Sequence, residues 1–350
     1  MIENDFYSQA NHGPYELHDI GDLALEEGGT IRGCKLAVAT HGRLNEAGDN
    51  AILVPTWFSG TNKIMEQVYV GPGRALDPQK HFIVIVNQIG GGLSTSPHNV
   101  PQPSNMARFP LVRIGDDVRA QHKLLTEVYG VESLALVFGA SMGAQQAYEW
   151  AVRYPDMVKR AAPVAGTARN TDHDFIFTQT LIDAITSDPG WNGGWYRNGG
   201  DVHAGLRRHA ALWAVMGWST EFYKREIWRG IGFSSREDFV VNFMEGYFLP
   251  MDPNALLSMA WKWQRGDVGR VAGGDLAVAL GRIKAKTYVM PISTDMFFPP
   301  SDCHAEQKLI PGSEFRPIES QCGHFGLIGV EQSFTEQIDR NLRELLASEV

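Results

Sequence analysis

The sequence predicts an α/β fold, with a mostly parallel central sheet, flanking helices and an inserted helical block. Three observations carry this expectation. Strand-type and helix-type apolar periods alternate before about residue 170 and again after about residue 274. That alternation suits right-handed β-α-β crossovers. Several strand-type runs are apolar nearly throughout, as strands covered on both faces must be. Between the two alternating regions the strand signals disappear.

Taken in order, residues 30–55 hold short β-type runs that end in AILVP at 51–55, and HFIVIVN at 81–87 is the next strand. From Asp116 to Tyr129, the residues Val118, Leu124, Leu125 and Val128 fit one helical face. SLALVF at 133–138 reads as a buried strand, and AQQAYEWAVRYP after it as a helix stopped by Pro155. AAPVAG at 161–166 is another strand. Helical pieces then alternate with the stretch GWNGGWYRNGG, and seven of the nine tryptophans fall between 170 and 274. Large rings dominate the burial energy of a helical subdomain, so most of these belong to its core, with a minority left for a pocket or a subunit contact. Strands resume with KTYVMPI at 286–292, followed by a helix near 302–310, EFRPIES at 314–320 and a terminal helix over about 331–347. The expected organisation is one core of 1–169 and 275–350 with 170–274 inserted.

With 350 residues, 43% hydrophobic and 20% charged, the chain can bury a full core, which excludes disordered and collagen-like classes. A net charge of -9, from 31 Lys and Arg against 40 Asp and Glu, provides no field for a nucleic acid. Cys34, Cys303 and Cys322 are far apart and form no Cys-x-x-Cys pair, which fits a reducing compartment and a site without metal. The start, MIENDFYSQANHG, is acidic and polar where a leader would be basic then apolar, and no apolar run approaches the roughly 18 residues of a membrane span. A cytoplasmic protein that binds neither nucleic acid nor membrane is expected.

The strongest local pattern is Gly139-Ala140-Ser141-Met142-Gly143, a G-x-S-x-G between a buried strand and a helix. In that context the serine sits on a strained, tight turn, and the flanking glycines let backbone segments approach. A serine hydroxyl needs a general base and an orienting carboxylate to attack an acyl group. Asp295, in STDMFFPP after strand 286–292, and His324, in QCGHFG after strand 314–320, stand where these partners belong. The Met142 backbone N–H at the helix start and that of Phe58, in PTWFSG after strand 51–55, are the expected oxyanion donors. His41, His81, His98, His122 and His209 lack a comparable setting and default to structure. Asp172-His173-Asp174 and Asp302-Cys303-His304 look ligand-like, but neighbouring side chains on a short segment diverge. Gly90-Gly91-Gly92 reads as a flexible turn.

With these residues in place, the chain resembles the homoserine O-acetyltransferase family of α/β-hydrolase-fold enzymes. The likeness is carried by VGPGRALDPQKHFIVIVNQIG, FPLVRIGDDVRAQHKLL, GASMGAQQAYEWAVRYPDMVKRAAPVAGTAR, DPGWNGG and ALGRIKAKTYVMPISTDMFFPP. The resemblance implies an α/β-hydrolase fold, Ser141 as nucleophile with Asp295 and His324 as partners, an oxyanion hole near Phe58 and Met142, and 170–274 as a helical lid that often forms a homodimer. It also breaks in three places. The family's aspartate after the catalytic histidine is Phe325 here, and its lid arginine and tyrosine fall at Ala214 and Glu221.

Those handles hold the amino group and carboxylate of homoserine, and a buried charge without its partner costs several kcal/mol. The expected pocket is therefore lined by Phe325, Trp57, Ala214, Trp213 and Trp218 and takes a small, uncharged acyl substrate. Hydrolysis of an ester, thioester or amide through an acyl-enzyme on Ser141, with no cofactor, is the favoured activity. Transfer from acetyl-CoA or another acyl-CoA to an acceptor other than homoserine is the alternative, and a non-catalytic binding protein is a third reading.

Overall fold

The computed structural model describes residues 2–350. Its main sheet has eight strands in the order β1-β4-β6-β5-β7-β8-β9-β10. They are β1 (Glu16–Asp19), β4 (Lys35–His41), β5 (Ala51–Pro55), β6 (Phe82–Val86), β7 (Leu136–Ala140), β8 (Arg160–Val164), β9 (Lys286–Val289) and β10 (Glu314–Phe315). The short strands β2 (Leu23–Ala24) and β3 (Thr30–Ile31) pair separately as an antiparallel ribbon. β1 and β4 join antiparallel at one edge, and every pairing from β6 onward is parallel.

Alternate residues of the central strands feed two cores, as a period of two requires. Ile52, Val54, Ile83, Ile85 and Phe138 face the helices Asn62–Tyr69 and Gln332–Ala347. Leu53, Val84, Val86 and Val137 face the other layer, where Val118, Ala147, Trp150 and Ala151 come from the helices Ile114–Lys123 and Met142–Arg153. The elements between β8 and β9 are all helical among the described residues, with Asp172–Thr186, His203–Met216 and Pro253–Gln264 the longest. Phe177, Leu181, Leu206, Trp213 and Trp263 from this block join the second core without a break.

Several elements differ from expectation. SLALVF is a strand only from Leu136, and the strand continues through Gly139 and Ala140 to the edge of the serine turn; Leu134 makes an isolated bridge to Val158. The strand expected over 314–320 shrinks to two residues because Pro291, on the β9 side of the ladder, has no N–H to give, and Ile318 rejoins it by donating to the Pro291 carbonyl at 2.8 Å and bridging Ile292. The helix expected over 116–129 is α-helical at Ile114–Lys123 and widens into a π turn at Leu124–Val128. The edge strand β1 was not expected, since ELHD is mostly exposed and lacks apolar alternation. No helix among the described residues is long and apolar enough to cross a membrane.

Candidate active site

β7 runs straight into Ser141, and the helix Met142–Arg153 starts at the next residue. Ser141 has φ 56° and ψ -124°, a conformation that L side chains rarely adopt. The turn is possible because its neighbours are bare. A Cβ on Gly139 would lie 1.9 Å from the Gly143 carbonyl oxygen, and one on Gly143 would lie 2.6 Å from that of Pro55. The serine backbone N–H is tied to the Val164 carbonyl at 2.9 Å, so the neighbouring strand fixes the turn from the side.

Asp295 sits in the turn after β9. Its Oδ1 accepts the Phe297 and Phe298 backbone N–H groups at 2.8 and 3.3 Å, leaving Oδ2 to face His324. His324 lies on the short helical turn Gly323–Ile328 after β10. Its Nδ1 is 2.7 Å from Asp295 Oδ2 and its Nε2 is 2.9 Å from Ser141 Oγ. With the carboxylate accepting at Nδ1, the imidazole keeps Nε2 as acceptor and the serine hydroxyl donates to it. All three side chains are buried, and Phe297 packs edge-on against the imidazole with ring centroids 5.1 Å apart. Three residues that follow the carboxyl ends of separate parallel strands thus form one hydrogen-bonded line.

That line opens into a cavity of about 20 Å³ lined by Trp57, Phe58, Ser59, Ser141, Trp213, His324, Phe325, Leu327 and Ile328. Its volume is on the scale of a single water site, so only a small group enters without movement of the walls. The Phe58 and Met142 backbone N–H groups have no other acceptor among the described residues. A larger apolar cavity of about 330 Å³, between Phe109, Leu111, Trp191 and Trp261, contains none of Ser141, Asp295 and His324.

Of the residues expected in the pocket, Trp57, Trp213 and Phe325 reach the cavity, while Ala214 and Trp218 stand outside its lining. Trp218 backs Phe325 at a centroid distance of 5.0 Å and stacks on Phe222 at 4.0 Å. The Ala214 carbonyl accepts the Tyr223 hydroxyl, and Glu221 is spent on Lys224 and Arg225 at the surface. Helical periodicity shows which residues share a face but not which face turns to the serine. Phe325 is seated by Gly217, whose added Cβ would come within 2.2 Å of its ring, and the Phe325 N–H donates to the Gly217 carbonyl at 3.0 Å.

His209 supports the pocket without facing it. Its Nε2 accepts the Trp213 indole N–H at 3.0 Å, and burial pushes its pKa down to about 4, keeping it a neutral acceptor. Ser59, Leu327 and Ile328 were missed because small polar or aliphatic residues carry no chemical motif. Asp174, which looked ligand-like in sequence, is instead fully buried in the first turn of the helix Asp172–Thr186, where one oxygen accepts from Thr171 and the other is unpartnered. Burial pushes its carboxyl up to about 7, and the Asp295 charge acts in the same direction. No group of three His, Cys, Asp or Glu residues suited to a metal ion occurs among the described residues, and Asp172–Asp174 and Asp302–His304 form none.

The model of the alpha/beta hydrolase fold family matches residues 52–329, which span the serine turn, the helical block and the histidine loop. The chain belongs to the alpha/beta hydrolase fold family. Within this family it is 62% identical over 345 residues to an ethyl acetate hydrolase from Pseudomonas veronii, covering 99% of each chain. It superposes with a TM-score of 0.98 on the structure of an acetylester hydrolase from Corynebacterium glutamicum, at 58% identity, covering 99% of this chain and 100% of that one. A homoserine O-acetyltransferase from Thermobifida fusca is 33% identical over 359 residues, covering 93% of this chain and 91% of the relative. The resemblance to that acetyltransferase family therefore holds at a distance, and the esterases are markedly more similar. As a member of the alpha/beta hydrolase fold family, the chain is an enzyme of that fold.

Proposed function

We propose that this enzyme hydrolyses small, uncharged esters, acetyl esters foremost, through an acyl-enzyme on Ser141. The observation that carries the reading is the Ser141–His324–Asp295 hydrogen-bonded line at the floor of a narrow, aromatic cavity. The similarity to proteins named ethyl acetate hydrolase and acetylester hydrolase supports the same reading.

In this reaction His324 Nε2 takes the Ser141 proton as Oγ attacks the ester carbonyl. The negative charge that develops on the carbonyl oxygen is met by the Phe58 and Met142 N–H groups. His324 returns the proton to the departing alkoxide, which leaves as the alcohol. Water then repeats the sequence on the acyl-serine, with His324 as base and then acid, releasing the carboxylic acid and restoring the hydroxyl. Asp295 holds the imidazole in the working tautomer and stabilises the imidazolium without taking its proton. The apolar Phe325 beside His324 favours an uncharged alkyl portion and offers no partner to an ammonium.

The test is a mass measurement of intact protein exposed to p-nitrophenyl acetate and to acetyl-CoA. An acetyl adduct on Ser141 that forms from the ester and decays in water is the expected result. An adduct that persists until a small alcohol is added would instead assign the enzyme to acyl transfer.

A further inference from the structure

The loop that carries Phe58 is gripped at both ends, by Gln88 just after β6 and by Tyr247 of the helical block. At its start, Gln88 Nε2 donates to the Thr56 carbonyl at 2.5 Å, and the Gln88 backbone N–H reaches Thr56 Oγ1 at 3.3 Å. Gln88 is in turn fixed by Lys262 on the helix Pro253–Gln264. The Lys262 ammonium donates to the Ile89 carbonyl at 2.7 Å, to Gln88 Oε1 at 3.4 Å, and to the Asp117 carboxylate. The second Asp117 oxygen accepts the Ile89 N–H at 2.8 Å. At the far end of the loop, the Tyr247 hydroxyl, on the short helix Gly246–Phe248, lies 3.1 Å from Ser59 Oγ and donates to the Ser59 carbonyl at 3.2 Å. Trp57 and Phe58 are the two residues between these clamps.

An N–H group stabilises a developing oxyanion only if it is aimed before the reaction starts, and misplacement by about 1 Å costs about 100-fold. Beyond Thr56, whose N–H still pairs with Val86 at 3.1 Å, the loop has no ladder of its own to supply that aim. Gln88, Asp117 and Lys262 are each 1% exposed, so water does not compete for their hydrogen bonds. We propose that Gln88 and Tyr247 are positioning residues that aim the Phe58 N–H at the oxyanion, with the Lys262–Asp117 pair holding Gln88 in place. The proposal rests on the reading of Phe58 as an oxyanion donor given above.

Gln88→Met and Tyr247→Phe remove the two clamps with little change in volume. The experiment compares kcat and KM for p-nitrophenyl acetate, per active site titrated to completion with an organophosphate, so that misfolded protein is not counted. It also measures affinity for 1,1,1-trifluoroacetone, which adds to Ser141 Oγ as a tetrahedral hemiketal. The expected result is a kcat about tenfold lower for Gln88→Met and about threefold lower for Tyr247→Phe, KM within about twofold, and trifluoroacetone affinity weakened by the same factor as kcat. A kcat per site within about twofold of the parent in both variants would overturn the proposal, as would lost kcat with unchanged ketone affinity. If Gln88→Met does not fold, Tyr247→Phe decides alone. Ser141→Ala separates the levels: parent-like turnover in that variant fells the reading of the whole site, whereas its loss beside unaffected clamp variants fells only the present proposal.

Discussion

Ser141 keeps an unfavourable backbone angle that two bare glycines permit and one strand hydrogen bond holds, and the reward is a buried oxygen at the cavity wall aimed at His324. Removing that oxygen leaves the packing alone. Ser141→Ala is therefore expected to lower kcat for p-nitrophenyl acetate by about 10⁴-fold or more while keeping the parent's thermal midpoint, and His324→Ala by a similar factor. Asp295→Asn should lose less, about 10³- to 10⁴-fold, because the amide still accepts the Phe297 N–H but no longer fixes the tautomer. Equal residual rates in all three, well above background, would contradict these roles. Under the proposed function, Phe325, as one wall of the cavity beside Ser141, limits which acyl or alkyl group fits. Cutting it to alanine removes one wall of a cavity of about 20 Å³, so the ratio of kcat/KM for p-nitrophenyl butyrate over acetate should rise about tenfold, on the scale of one or two added methylenes. An unchanged ratio would place the size limit elsewhere, on Trp213 or Ile328.

At the scale of elements, the first turn of the helix Asp172–Thr186 carries a cost that pH can expose. Asp174 caps this turn through Thr171, yet burial raises its pKa to about 7. The unfolded chain releases this proton near the ordinary Asp value of about 4, the folded protein only near 7. Stability from this group is thus fully present below about pH 4 and is lost as pH rises toward 7 and above. Asn at this position keeps an acceptor for Thr171, places its NH₂ where the free oxygen stood, and has nothing to ionise. Asp174→Asn should then show a smaller fall in thermal midpoint between pH 5 and 8 than the parent, read by calorimetry; parallel curves would refute the assignment.

The same scale shows what the sequence could and could not disclose. Ser141, Asp295 and His324 were legible because a motif, its strand-to-helix context and chain order pointed to them independently. β10 was overdrawn because its own apolar alternation says nothing of the N–H that Pro291 lacks on the neighbouring strand, and β1 was invisible because an exposed edge strand needs no apolar face. Trp218 and Ala214 were placed in the pocket on lid likeness alone, while the turn of the His203–Met216 helix toward the serine is set by tertiary packing.

Across the whole molecule, the sheet core and the helical block are joined by an ion pair that no local pattern predicts, since Lys262 and Asp117 lie 145 positions apart and charged residues default to the surface. Their side chains are 0% and 1% exposed. Such a pair is costly to break and cheap to replace, because removing one partner strands a buried charge. Lys262→Met should therefore destabilise the protein by about 3–5 kcal/mol in urea unfolding at pH 7. Burial already pushes the Asp117 carboxyl up, and without the ammonium it can take a proton instead of staying charged, so the deficit relative to the parent should shrink as pH falls toward 5. Adding Asp117→Asn removes the stranded charge while keeping an acceptor for the Ile89 N–H, and the double variant should recover about half of the loss at pH 7. A double variant no more stable than Lys262→Met, at either pH, would mean that the union of block and core depends on the ammonium's hydrogen bonds to Ile89 and Gln88 and not on charge neutralisation.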